Sequence, residues 1–127
     1  MLKKLDSSGN KLLSVGGGGI PAFDGTNIWV PGPGNEVTVV RATGGLSGTV
    51  LATLSGNGLS GSTMAAFDGE RILITNTGGN SVSLWRASDL TPLGAFSTGT
   101  NTGPFGACSD GVNFWITLNK ADMLARF

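Results

Sequence analysis

Chemistry in this chain must start from carboxylates and amides, because it contains no histidine, no tyrosine and a single cysteine. Without imidazole it lacks the usual neutral-pH proton acceptor and the commonest metal ligand. Three aspartates stand out by their surroundings. Asp24, Asp68 and Asp110 each precede a glycine, in Phe23-Asp24-Gly25, Phe67-Asp68-Gly69 and Ser109-Asp110-Gly111. A facing pair of acids could hydrolyse a glycoside, and several acids on one loop could hold calcium. Each of these aspartates stands alone in its segment, with no second acid at ligand spacing. They are read as turn residues: Asp bonds its own backbone downstream and Gly supplies positive φ.

The other chemical motifs are weaker. Gly56-Asn57-Gly58-Leu59-Ser60-Gly61 matches a dinucleotide-binding glycine pattern, but Phe67-Asp68-Gly69 follows where a helix should begin, so no cofactor is expected. No Ser/His/Asp or Cys/His set exists without histidine, and no Walker-type lysine follows a glycine loop. No catalytic, cofactor-binding or metal-binding residue is assigned. Cys108 cannot form an intrachain disulfide and is expected to be a small buried apolar residue, since free cysteine is among the most buried types. Its usage leaves the redox compartment open.

The aspartates belong to a longer repeated text. Phe23-Asp24-Gly25-Thr26-Asn27-Ile28-Trp29-Val30 returns as Phe67-Asp68-Gly69-Glu70-Arg71-Ile72-Leu73-Ile74 and as Ser109-Asp110-Gly111-Val112-Asn113-Phe114-Trp115-Ile116. The spacing is roughly 40 to 45 residues, the range of propellers, arrays and solenoids. Composition agrees: 22 glycines and only 13% charged residues in 127 suit many short strands joined by tight turns. The formal charge of zero provides no footprint for nucleic acid or an anionic membrane. Lys3 and Lys4 are not followed by an apolar run, so no signal peptide is read there.

The chain divides as one domain into a closing hairpin at 1–19, a blade at 20–62, a blade at 63–103 and a partial blade at 104–127. Strands are predicted at 20–23, 27–30, 36–41 and 49–54 in the first blade and at 63–67, 71–75, 81–86 and 93–96 in the second. The third blade contributes three, the last within 121–127. Gly16-Gly17-Gly18-Gly19 occupies the position of the junctions at 56–62 and 99–103. The second strand of each unit is a continuous apolar triplet, which implies burial on both faces. The third strand, as in Val82-Ser83-Leu84-Trp85, alternates and is expected to face solvent in part. The three tryptophans are read as packing residues.

With these segments assembled, the chain resembles β-propeller repeats of the YVTN type, related to NHL-like and streptogramin-lyase-like propellers. The resemblance rests on Ala22-Phe23-Asp24-Gly25-Thr26-Asn27-Ile28-Trp29-Val30, on Ala66-Phe67-Asp68-Gly69-Glu70-Arg71-Ile72-Leu73-Ile74-Thr75-Asn76 and on Gly78-Gly79-Asn80-Ser81-Val82-Ser83-Leu84. It implies an all-β fold of about three four-stranded blades per chain. Lyases of this kind depend on a histidine and a metal-holding acid, and no histidine is present to receive that role. Closed propellers have four to eight blades, so the ring is completed either by oligomerisation or by further sequence. The expected partner is a second copy, two chains making a six-bladed ring in which segment 1–15 of one completes the blade ending at Phe127 of the other. The expected function is a non-enzymatic structural or interaction module, in a virion, cell-surface or secreted assembly. A glycan-binding lectin and a fragment of a lyase-like enzyme are the alternatives. Binding residues would sit on the loop rim, where Asn35, Asn76, Asn80, Asn101 and Asn119 could hydrogen-bond a glycan or a partner's backbone.

Overall fold

The computed structural model describes residues 1–44 and 47–127. Residues 45 and 46, within the predicted connection between the third and fourth strands of the first blade, lie outside the described residues. The chain is all-β. An opening hairpin pairs β1 (Leu2–Leu5) with β2 (Lys11–Val15). The first blade is β3 (Ala22–Phe23), β4 (Asn27–Gly32), β5 (Glu36–Arg41) and β6 (Val50–Ser55). The second is β7 (Ser62–Phe67), β8 (Arg71–Asn76), β9 (Ser81–Arg86) and β10 (Pro92–Ser97). The third is β11 (Pro104–Ser109), β12 (Phe114–Leu118) and β13 (Met123–Arg126). Each blade is an antiparallel meander in sequence order, and the third has three strands.

The Asp-Gly turns fold as their residue types dictate. Asp24 Oδ1 accepts the N–H groups of Thr26 and Asn27 at 2.8 and 2.7 Å, Asp68 Oδ1 those of Glu70 and Arg71, and Asp110 Oδ1 those of Val112 and Asn113. Gly25, Gly69 and Gly111 sit at φ 96°, 105° and 93°, a region that a Cβ makes costly. Three carboxylates thus nucleate three copies of one bend.

The blades pack face to face, and the period-2 alternation of β8 serves both of its neighbours. Ile72 and Ile74 join Trp29, Val37 and Val39 of the first blade, while Leu73, between them, meets Phe114 and Ile116 of the third. All three side chains of the triplet are fully buried. Burying each is worth roughly 1.5 to 3 kcal/mol, so this one strand anchors both interfaces. The far face of the first blade is covered by the hairpin: Val30 and Val40 are buried there, and Leu13 approaches so closely that a Cβ on Gly48 would lie 2.9 Å from it. Lys4 Nζ donates to Ser47 Oγ at 2.9 Å across the same contact.

Four expectations change. The third strands are buried from Val37 to Val40 and from Val82 to Trp85, because in a stack both faces of β5 and β9 meet a neighbour and the hydroxyls of Thr38 and Ser83 go in with them. Of the strand expected at 20–23, only Ala22–Phe23 joins the ladder. Pro21 has no N–H to donate, and Ile20 instead makes a parallel bridge to Met64 of the second blade. Cys108 is exposed rather than buried. Its neighbour Ala107 takes the inward position against the second blade, so alternation turns Cys108 to the opposite face. Trp29 and Trp85 are core residues, whereas Trp115 is only half-buried.

Candidate functional site

The loop rim lies at the end of the blades opposite the Asp-Gly turns, where β4–β5, β8–β9 and β12–β13 turn and where one blade hands over to the next. Asn35 stands immediately before β5 at φ 56°, and its Oδ1 accepts the N–H of Gly61 at 2.8 Å. Asn80 stands immediately before β9 at φ 50°, and its Oδ1 accepts the N–H of Gly103 at 3.0 Å. Each amide therefore ties its blade to the junction leading into the next one. Asn76 is fully buried: its Oδ1 accepts from Ser60 N–H and Ser62 Oγ, and its Nδ2 donates to Ser81 and Ser83 Oγ. Asn119 is exposed, its backbone N–H donating to Gly103 O at 3.1 Å. Asn101 is exposed in a turn at φ 54°.

The five amides thus form two groups. Asn35 and Asn76 converge on the junction at 56–62, and Asn80, Asn101 and Asn119 gather about the junction at 99–103. Among the described residues, the side chains of Asn101 and Asn119 are exposed and make no hydrogen bond within the chain. The tether role of Asn35 and Asn80 points to a residue that sequence reading passed over. Asp122 stands immediately before β13 at φ 51°, the third member of the same series. Its position before a third strand was the available signal.

The turn carboxylates of the second and third blades are held ionised by their hydrogen bonds. Asp110 is held far below the ordinary carboxylate range, first by the N–H of Asn113, then by the Trp115 indole, whose Nε1 donates to Oδ2 at 2.8 Å. Burial pushes the pKa of Asp68 up, but the N–H groups of Arg71 and Glu70 and the Arg71 side chain outweigh it, and its pKa is lowered. Both have their acceptor oxygens engaged by these donors. Among the described residues, no three His, Cys, Asp or Glu side chains gather where they could hold a metal ion.

The last blade carries exposed apolar residues, among them Phe105, Met123 and Leu124. On β11–β13, Cys108, Trp115, Thr117, Leu124 and Arg126 share the face turned away from the second blade, since Cys108 pairs Trp115, Trp115 pairs Arg126 and Thr117 pairs Leu124. Leu124 is 61% exposed. Trp115 holds the place in its triplet that Trp29 holds in the first blade, where the next blade leaves that indole 0% exposed.

No protein-family model matches the chain, and no curated protein matches it in sequence. Solved structures do match in shape. A catalytically inactive virginiamycin B lyase from Staphylococcus aureus, with a histidine replaced by alanine and quinupristin bound, superposes with a TM-score of 0.73 at 15% identity, covering 94% of this chain and 42% of the lyase. The fold is that of a partial β-propeller. A streptogramin B lyase matches with a TM-score of 0.67 at 13% identity over 98% of this chain and 46% of the other. Hydrazine synthase of Kuenenia stuttgartiensis matches at 0.61 and 20% identity over 73% and 26%. The chain spans less than half the length of each of these proteins. At these identities the likeness concerns the fold, whose hosts have unrelated functions.

Proposed function

We propose that this chain is a non-enzymatic β-propeller module with repeats of the YVTN type, closing its ring with a second copy and serving as a structural or interaction element of a larger assembly. The observation that carries the reading is the contrast between Trp29, sealed beneath the following blade, and Trp115, half-exposed on a face with the same residue pattern. A blade-like sheet is what this surface is shaped to receive. The outer edge of β13 adds a second incentive: β5 and β9 each pair with a fourth strand, β6 and β10, while among the described residues β13 pairs only with β12. An unpaired edge beside an apolar face is a template for strand addition, and segment 1–15 of a second copy supplies a hairpin that already covers a blade face in its own chain. Asp122 completes the picture. By the spacing to the Asp-Gly turn, Gly17 corresponds to Gly61 and Gly103, so Asp122 of one copy would grip Gly17 of the other as Asn35 and Asn80 grip their junctions. The lack of histidine in the sequence supports a module without lyase chemistry of its own.

Mass measurement in solution tests this reading: light scattering behind size exclusion is expected to give a dimer, and a folded, stable monomer overturns it. A second reading, glycan binding at the rim, is favoured by the unengaged side chains of Asn101 and Asn119. A glycan array with the Asn101→Ala and Asn119→Ala variants checks it.

A further inference from the structure

Two short segments far apart in the chain carry nearly the same text. Met1-Leu2-Lys3-Lys4-Leu5 and Met123-Leu124-Ala125-Arg126-Phe127 share their first two residues, match a lysine with an arginine and end on an apolar side chain. Their places in the fold agree. β1 precedes β2 as the third strand of a blade precedes its fourth, and β13 follows β12 as a third strand. Aligned in this way, Leu2 stands for Leu124 and Lys4 for Arg126. Leu124 and Arg126 lie on the face of the last blade turned away from the second blade. Leu2 and Lys4 pair Val15 and Leu13 of β2, and Lys4 Nζ reaches Ser47 Oγ across the contact with the first blade. β1 therefore lies on the first blade as β13 would lie on a blade that followed it.

β1 fills that seat incompletely. Among the described residues, a cleft of ≈ 320 Å³ remains between the hairpin, at Leu2 and Leu13, and the first blade, at Pro21, Ile28, Val40 and Ala42. The ladders give the counterparts of the four blade residues one unit further on. Phe23 pairs Ile28 and Ile28 pairs Val40, as Phe67 pairs Ile72 and Ile72 pairs Trp85, so the counterparts are Ala65, Ile72, Trp85 and Ala87. There Trp29 of the preceding blade joins Ala65, Ile72 and Trp85 in one cluster with Ala87 packed against it, and Ile72 is 0% exposed. Ile28, in contrast, is only half-buried. Segment 1–15 contains no tryptophan, so the cleft lacks the indole that completes the equivalent interface. Trp115 holds the matching position in the last blade, pairing Cys108 as Trp29 pairs Ala22. β1 is also weakly anchored: Lys3, Lys4 and Leu5 are exposed, and its ladder with β2 shifts register between Lys4 and Leu5, whereas that of β12 with β13 runs without a shift.

We propose that β1 is a removable cap, holding in the free chain the seat that β13 of a second copy takes when the ring closes. In the exchange β13 pairs with β2 of the other copy, Leu124 and Arg126 replace Leu2 and Lys4, and the Trp115 indole enters the cleft at Pro21, Ile28 and Val40. This exchange rests on the ring-closing reading above and adds that closure first releases β1, so the apparent affinity between copies is reduced by the fraction of chains still capped. It also fixes the strand count of the shared blade: β11, β12 and β13 with the other copy's β2 make four, and β1 is left over.

The test measures the dimer dissociation constant by sedimentation equilibrium for the native chain, for a chain lacking residues 1–5, and for Lys3→Cys with Ser14→Cys in a Cys108→Ser background. Lys3 and Ser14 oppose each other across the β1–β2 ladder, within reach of a disulfide that locks the cap shut. Deletion is expected to tighten the dimer at least about tenfold. The oxidised lock is expected to be monomeric and to recover the native dissociation constant on reduction, a readout that does not depend on the shortened chain. An oxidised lock that dimerises as tightly as its reduced form, or a deletion that weakens association, overturns the cap and leaves ring closure standing. Absence of a dimer from the native, shortened and reduced chains alike removes ring closure, and the cap with it.

Discussion

At the scale of single residues, one carboxylate organises each blade by accepting two backbone N–H groups and at least one side-chain donor. Asp24 takes Thr26, Asn27 and the Trp29 indole, and Asp110 takes Val112, Asn113 and the Trp115 indole. Replacing Asp24 by Ala strands these donors. It is expected to cost about 2 kcal/mol in urea unfolding, the scale of hydrogen bonds to a charged acceptor. Acid should act on the same groups. Asp68 and Asp110 have folded pKa values below their unfolded ones, so their contribution is fully present above the ordinary carboxylate pKa of about 4 and is lost as pH falls through the lowered values. The melting temperature is expected to stay level from neutral pH to about pH 5 and to fall below about pH 4, and Asp110→Asn should flatten that acid limb in a pH series of thermal melts. These turns were legible in the sequence because their hydrogen bonds span two to five residues.

At the scale of elements, β8 carries the fold because each of its faces is a separate interface. Leu73→Ala empties only the contact with the third blade, and Ile72→Ala only the contact with the first. Each is expected to cost about 2 to 5 kcal/mol by chemical denaturation, with the first loosening Phe114 and the second Trp29. The junction tethers act between elements. Asn80→Ala frees the Gly103 N–H and is expected to raise hydrogen exchange in the junction at 99–103 while the strands of the second blade stay protected. This level was only half legible. The apolar triplets announced two-sided burial, but the alternation of Val82-Ser83-Leu84-Trp85 suggested a wet face, since a pattern of hydroxyls does not say whether its neighbour is water or another sheet. The tethers were hidden because Asn35 and Asn80 reach across 26 and 23 residues to a backbone N–H, which leaves no mark on residue type at the receiving end. Cys108 shows a related limit: alternation fixes that Ala107 and Cys108 face opposite ways, and only the packed blade decides which faces inward.

At the scale of the whole molecule, the repeat supplies its own standard for what a finished interface looks like. Between consecutive blades the middle residue of each triplet is sealed, as Trp29 and Leu73 are, and the turn before each third strand grips the next junction. The last blade repeats the residues of this arrangement in Trp115, which is half-exposed, and in Asp122 before β13. The proposed self-association through that flank is expected to be sensitive to Trp115 and indifferent to Asp24. The measurement that tests this most directly is the mass of the native chain in solution by light scattering, beside that of Trp115→Arg. A dimer for the native chain and a monomer for the variant are expected; a native chain that stays folded and monomeric at high concentration would contradict the account.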